Sequence, residues 1–498
     1  MYSYIIYFYA YRKKEEKMTT SSKKYAKPIT KSATKSALKK TSKKSVAKKT
    51  SSLSSQAISA SFLKKCKSIK KTKEQIAFQN ALAANDINHV AINQDAINKL
   101  PLTFSLELKT GSVTEQKMSG RCWLFAGMNL LRQQIAKEIN VPDFELSQIY
   151  LTFYDKLEKA NWFLESIITH RAKAIDSREI LSLISDPVGD GGHWTFFSNL
   201  VEKSGVVPKS VMKETFHSEH THEMNLLLEN KLREYAVKLR DAFSQKKSIA
   251  YLHQLKERNL KEFYSLLVMF YGNPVESFDF EYKDKDDKFH YRRNMTPKKF
   301  FEMYVKRKPK NFVSVLWSPA HPVNVHFEII KSDMVQGMQP VHFITLSRKE
   351  IQQLTLKQIK EELPVWFAAD VQKFTERKKG YFDADLFDYE TVLSTKFSLS
   401  PKDEVLYRDI ELNHAMVLTG VNLVNSKPNR WKVETSWGDE NGHKGYYVAS
   451  QSWFKNYVRE VIIYKDLLSD EQKKLETKST KKLPWWSPLN MFFSKGKR

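Results

Sequence analysis

The sequence predicts an α+β fold, on three observations. Trp123, Leu124, Met128, Leu131 and Ile135 recur at helical spacing after Cys122. Residues 144–172 and 222–270 also read as helices, the second stretch with Met224, Leu227, Leu228, Leu232 and Tyr235 on one face and charges elsewhere. The last hundred residues change character. Asn413 to Leu418 begins a strand with a hydrophobic run behind it, and residues 433–447 read as a strand, a Gly-rich turn and a second strand.

The chemistry sits at the joints of these elements. Gln116-Lys117-Met118-Ser119-Gly120-Arg121-Cys122-Trp123 holds a thiol and, six residues before it, a side-chain amide. A thiol attacks as the thiolate, and the unpaired N–H groups at a helix start favour that form. Gly120 lets the chain turn sharply just ahead of the helix. A lone cysteine in an apolar helix is ordinarily a small core residue. Two further segments shift that balance toward acyl transfer. His414 is a candidate base, and Thr435-Ser436-Trp437-Gly438 closes the next strand.

Taken in the order Gln…Cys, His, Ser-Trp-Gly, these segments resemble the papain-like cysteine peptidases, and more narrowly the bleomycin hydrolase and aminopeptidase C branch. Further segments agree, among them Phe144-Glu145-Leu146-Ser147-Gln148, Asp190-Gly191-Gly192-His193-Trp194, residues 201–209, Val365-Trp366-Phe367-Ala368-Ala369-Asp370 and Leu483-Pro484-Trp485-Trp486. The resemblance runs from about residue 75 to residue 491. It implies a papain-like fold, a helical domain plus a β-barrel-like domain, enlarged by helical insertions between Cys122 and His414. It also implies roles. Cys122 is the nucleophile, His414 the base paired with it, and Gln116 an oxyanion donor together with the Cys122 N–H. Gly191 and Gly192 let an extended substrate lie against the backbone, an ordinary tight turn being the plainer reading of the pair. Trp437 shields the contact between His414 and Thr435, or simply packs in the core. No metal or cofactor is implied. The expected partners are peptide substrates and further copies of the chain in a closed hexamer whose sites face an internal channel.

Two departures from the family pattern stand out. The usual asparagine that orients the imidazole is Thr435 here, a shorter side chain with a hydroxyl, which predicts an impaired or retuned enzyme. The family's C-terminal carboxylate, which pairs with the free amine of a substrate, is replaced by an extension over residues 492–498 ending in Lys495-Gly496-Lys497-Arg498. That leaves the choice between exopeptidase and endopeptidase action open.

The chain of 498 residues, 41% of them hydrophobic, can bury a large core. Its net charge of +26 is concentrated at one end, where residues 1–80 hold 21 Lys and Arg against 3 acidic residues. Residues 1–74 therefore read as a disordered Lys/Ser/Thr-rich tail ahead of a peptidase domain at 75–491. A solvated linker is the plain reading of this tail. A nucleic-acid-binding arm or a nuclear address is the sharper one, and it supports an alternative in which a catalytically weakened protein acts as a binding or scaffold protein.

Met1 to Tyr11 is apolar but too short to span a membrane and lacks a basic leader region, and Met18 is an alternative start. Only Cys66 and Cys122 are present, and Ser119 stands where secreted relatives often carry another cysteine. A reducing, cytosolic compartment follows. His217, Glu219, His220 and His222 invite a metal reading, although closely spaced histidines at an exposed helix start are ordinary.

Overall fold

The computed structural model describes residues 57–487 and Leu489. They fall into two units, one ending at Lys71 and one beginning at Thr72. Most of the basic tail, and the C-terminal extension, lie outside the described residues. The described part of the first unit contains a helix, Ala60–Lys67, capped by the Ser59 hydroxyl and bearing Lys64, Lys65 and Lys67 in its last turn. This helix falls within the stretch 1–74 expected to be disordered and buries no residue. Local capping and the placement of cations at its C-terminus favour the helical form without a core to hold it.

In the second unit, the helix Cys122–Ile139 is buried over most of its surface. It packs with Gln148–Thr169 and Trp194–Ser204 in one hydrophobic core. The expected helices at 222–270 form as a hairpin, His222–Ser244 and Ile249–Tyr271. The chain reverses between them, with Lys246 at φ 59° and the Ser248 hydroxyl capping the second helix. Met224, Leu228, Leu232 and Tyr235 are buried as expected, whereas Leu227 is exposed. A β-hairpin, Phe278–Lys283 with Phe289–Met295, follows. No sequence pattern had singled it out.

The C-terminal half supplies eleven strands of a mixed sheet of twelve among the described residues, the twelfth being Leu106–Glu107, which pairs with His414–Val424. His414–Val424 lies between Val365–Ala369 and Lys427–Glu434, antiparallel to both. Its register sets His414 opposite Ala369 and Val417 opposite Glu434. Val365–Ala369 is buried at every position, as is His414–Val424 through Val421, so both read as continuous hydrophobic runs rather than alternating ones. Two buried side chains tie the Cys122 helix to this sheet: Asn129 Nδ2 and Arg132 Nη2 each donate to Glu434 Oε1 at 3.0 Å. The helix carrying the thiol is thereby fixed against the strand that leads into Thr435.

Candidate active site

Cys122 is the first residue of its helix. The backbone N–H groups of Ala415, Trp123 and Cys122 itself lie near enough to Sγ to favour its charged form. Ala415 follows His414 directly, and the thiol and the imidazole therefore meet at one end of the sheet. The sequence predicts a lowered thiol pKa and an ion pair. Burial pushes the thiol up to about 11, against the backbone N–H groups. Burial also pulls His414 down to about 3, with the nearby Arg377 guanidinium acting in the same direction. Desolvation thus opposes charge on both groups, and an ion pair between them has to offset it.

Gln116 is buried beside them. Its N–H donates to Ser436 O at 2.9 Å, and its Oε1 accepts the Ser436 hydroxyl at 2.6 Å. Its Nε2 donates to Ser119 O, and since an amide nitrogen carries two hydrogens, one remains for a ligand. The residue before it, Glu115, bridges Trp437 antiparallel. The loop ahead of the nucleophile is thus stitched onto the Thr435–Gly438 segment.

Trp437 stacks on the His414 ring, with centroids 4.7 Å apart and planes at 29°. Thr435 does not reach the imidazole. Its hydroxyl donates to Gly445 O at 3.0 Å and accepts the Trp437 N–H at 3.4 Å. His414 Nε2 is buried without a hydrogen-bond partner. The orienting contact expected of Thr435 is therefore absent, because a hydroxyl on a short β-branched side chain is captured by the neighbouring backbone.

The two glycines divide in role. A Cβ on Gly192 would lie 2.2 Å from the Trp123 ring, so this glycine exists for packing. A Cβ on Gly191 would meet nothing within 4 Å, and the Gly191 carbonyl is held by Lys159 Nζ at 2.7 Å. Only Gly191 borders open space.

Asp190, quoted in a motif but given no role by the sequence, organises this wall. Its carboxylate accepts from Gly120 N at 2.9 Å, Thr221 Oγ1 at 2.6 Å, Lys156 Nζ at 2.7 Å and Asn225 Nδ2 at 2.8 Å. Burial opposes its charge, but the Lys156 ammonium, Thr221 and the Gly120 N–H outweigh it and hold the carboxyl well below the usual range. Gly120 is required by this approach, since a Cβ there would come 2.9 Å from Asp190 Cβ. Two lysines at i and i+3 within the mainly apolar, buried run of the helix Gln148–Thr169, Lys156 and Lys159, were the signal that could have exposed the network. The histidines weighed as metal ligands are otherwise engaged: His217 packs on Phe270, and His220 stacks on Phe216. Among the described residues no three His, Cys, Asp or Glu side chains gather as a metal site.

A thiol at the head of a buried helix, an imidazole on the adjoining strand and an amide tethered beside both define the thiol peptidase class. The Peptidase C1-like family model matches residues 52–490. Aminopeptidase C of Listeria monocytogenes serovar 1/2a is 38% identical over 418 residues, covering 84% of this chain and 94% of its own length. Aminopeptidase C of Lactobacillus delbrueckii subsp. lactis is 36% identical over 412 residues, covering 82% and 92%. The crystal structure of PepW from Lactobacillus rhamnosis HN001 superposes with a TM-score of 0.85 at 38% identity, over 87% of this chain and 99% of that one. The chain belongs to the Peptidase C1-like family and is a papain-like cysteine-type peptidase. No helix among the described residues is long and apolar enough to cross a membrane.

Proposed function

We propose that this protein is a cytosolic thiol aminopeptidase that removes residues from the N-terminus of peptides through a thioester on Cys122. The observation that carries the reading is Cys122 at the head of a buried helix that shares one core with the strand beginning at His414, with the Ala415 N–H near enough to the sulfur to favour its charged form. The aminopeptidase character rests on relatives named Aminopeptidase C.

Because burial favours the neutral thiol and imidazole, the proton passes from Sγ to His414 as sulfur attacks the carbonyl carbon. The carbonyl π electrons move to oxygen, and the oxyanion is held by the Cys122 N–H and the free Gln116 Nε2 hydrogen. Collapse breaks the C–N bond, the imidazolium gives its proton to the departing amine, and the acyl group stays on sulfur. Water then loses a proton to His414 and attacks the thioester, and the sulfur leaves and recovers the proton. Gly191 lies along the substrate backbone, and Trp437 keeps water from the imidazole.

By the same resemblance the subunits assemble as a hexamer with enclosed sites, which a native mass of six chains would support and a mass of one chain would contradict. The catalytic reading is tested by labelling with a thiol-directed epoxide, with Cys122→Ala as control, and by turnover of matched peptides with free and blocked N-termini. Labelling at Cys122 and cleavage restricted to free N-termini are expected. Turnover that survives in Cys122→Ala would end the proposal.

A further inference from the structure

The His414 imidazole lacks the side-chain partner that would fix it, yet it is not left loose. Trp437 lies 4.7 Å from it in a stacked arrangement, and the Arg377 guanidinium carbon lies 4.5 Å from the centroid of the same indole. Both groups therefore pack on the one indole. Tyr447 at 5.4 Å and Phe382 at 6.5 Å pack on the same indole in T-shaped contacts. The strand pair Thr375–Glu376 and Tyr381–Phe382 flanks Arg377, and its backbone is fastened by the Tyr447 hydroxyl on Arg377 O at 2.6 Å and by Gly442 N on Lys378 O at 3.0 Å. Arg377 makes no ion pair among the described residues, and its neighbour Glu376 turns its carboxylate to the Lys378 and Lys379 N–H groups.

We propose that Arg377 is a positioning residue for the catalytic imidazole, holding the Trp437 indole in place against His414 by cation–π attraction, in place of the partner that Thr435 does not supply. A guanidinium is well suited to this, being planar, permanently charged and weakly hydrated. An imidazolium packed on the same indole competes for its π-electrons and is repelled by the fixed charge. Burial is the larger cause that lowers the proton affinity of His414, and among the described residues Arg377 is the charged group that adds to it. Other titratable groups are committed elsewhere. Asp370 accepts the Asn413 side chain and the Glu411 N–H, and Asp190 is bound to Lys156.

This inference rests on His414 being the base, and its test does not need turnover. In the full-length protein, the His414 ring nitrogens are followed by NMR against pH, alongside the pH dependence of Cys122 alkylation. Arg377→Met should raise the His414 midpoint by about half a pH unit or more, with Arg377→Lys staying near the parent. In peptide hydrolysis, Arg377→Met should lower kcat several-fold with KM nearly unchanged. Arg377→Gln serves the same purpose should the methionine variant not fold. An imidazole titration of Arg377→Met that superimposes on the parent would overturn the proposal. Absence of peptide turnover in the parent, with the midpoint still shifted, would instead reject the aminopeptidase reading and, with it, the catalytic part of this inference, leaving only the contact of Arg377 with the His414 ring.

Discussion

The two walls of the site are held by different physics. On the nucleophile wall, the loop Glu115–Arg121 and the Gly191 segment hang from hydrogen bonds: two charge-assisted ones, from the Gly120 N–H to Asp190 and from Lys159 to the Gly191 carbonyl, and a neutral one from the Ser436 hydroxyl to Gln116. On the imidazole wall, Thr435 faces away, Nε2 has no partner, and the ring is placed by stacking on Trp437. Hydrogen bonds fix direction to within tens of degrees, whereas stacking fixes a plane and leaves rotation within it comparatively free. The sulfur and the oxyanion donors are therefore more tightly preset than the base.

The largest effect that sharpens this contrast is removal of the reacting groups. Cys122→Ala and His414→Ala should each lower kcat/KM by on the order of 10³-fold or more, since the members of such a pair act as a unit. Steady-state assays on a peptide with a free N-terminus measure this, and a double variant no worse than either single one would confirm the coupling.

Breaking the nucleophile wall should be costly to folding. Asp190→Ala leaves Lys156 buried and unpaired, which corresponds to about 3–5 kcal/mol of lost stability in urea unfolding. The pH dependence has a definite sign. The Asp190 carboxyl is depressed in the folded state, so its contribution is fully present above the ordinary aspartate range and is lost as pH falls below about 4. Melting temperature in the parent should drop on acidification more steeply than in Asp190→Asn, and parallel curves would assign no such linkage to this residue.

A smaller effect separates the neighbouring glycines. Gly192→Ala forces a methyl into the Trp123 ring and should cost about 1–3 kcal/mol. Gly191→Ala, facing open space, should change stability by less than about 0.5 kcal/mol while raising KM for extended peptides. Equal destabilisation by the two would show that both are packing glycines.

What the sequence disclosed follows the same division. Cys122, Gln116 and His414 were legible because their spacing, the helical repeat after Cys122 and the run after His414 are local patterns, and each lies where those patterns put it. The break at residues 245–248 and the exposure of Leu227 were not, because tertiary packing rather than periodicity decides which part of a long amphipathic stretch is covered. Asp190 was visible only as part of a motif, since its partners come from three separate segments, around Gly120, Lys156 and Thr221–Asn225. Arg377 sat inside the charge run Glu376-Arg377-Lys378-Lys379, where nothing in the pattern marks one cation as stacked and its neighbours as solvated. The desolvation of Cys122 was not legible because helix-terminal N–H groups are local, whereas the burial that opposes them arises from the whole surrounding core.

Thr435 carries the smallest expected effect and bears most directly on the imidazole wall. Thr435→Asn extends the side chain by one atom and supplies a carbonyl able to accept from Nε2, while its amide can replace the lost donation to Gly445 O. A partner for a buried ring nitrogen restricts rotation in the plane that stacking leaves free, and one neutral hydrogen bond is worth about 1 kcal/mol. An increase in kcat of up to about tenfold follows if that bond is made chiefly in the productive orientation, with KM unaltered because the substrate touches neither residue 435 nor Nε2. Combining it with Arg377→Met should recover part of the rate lost in the arginine variant, since both changes act on the same ring. An unchanged kcat in Thr435→Asn would mean that the stacked indole already holds His414 as firmly as a hydrogen bond could.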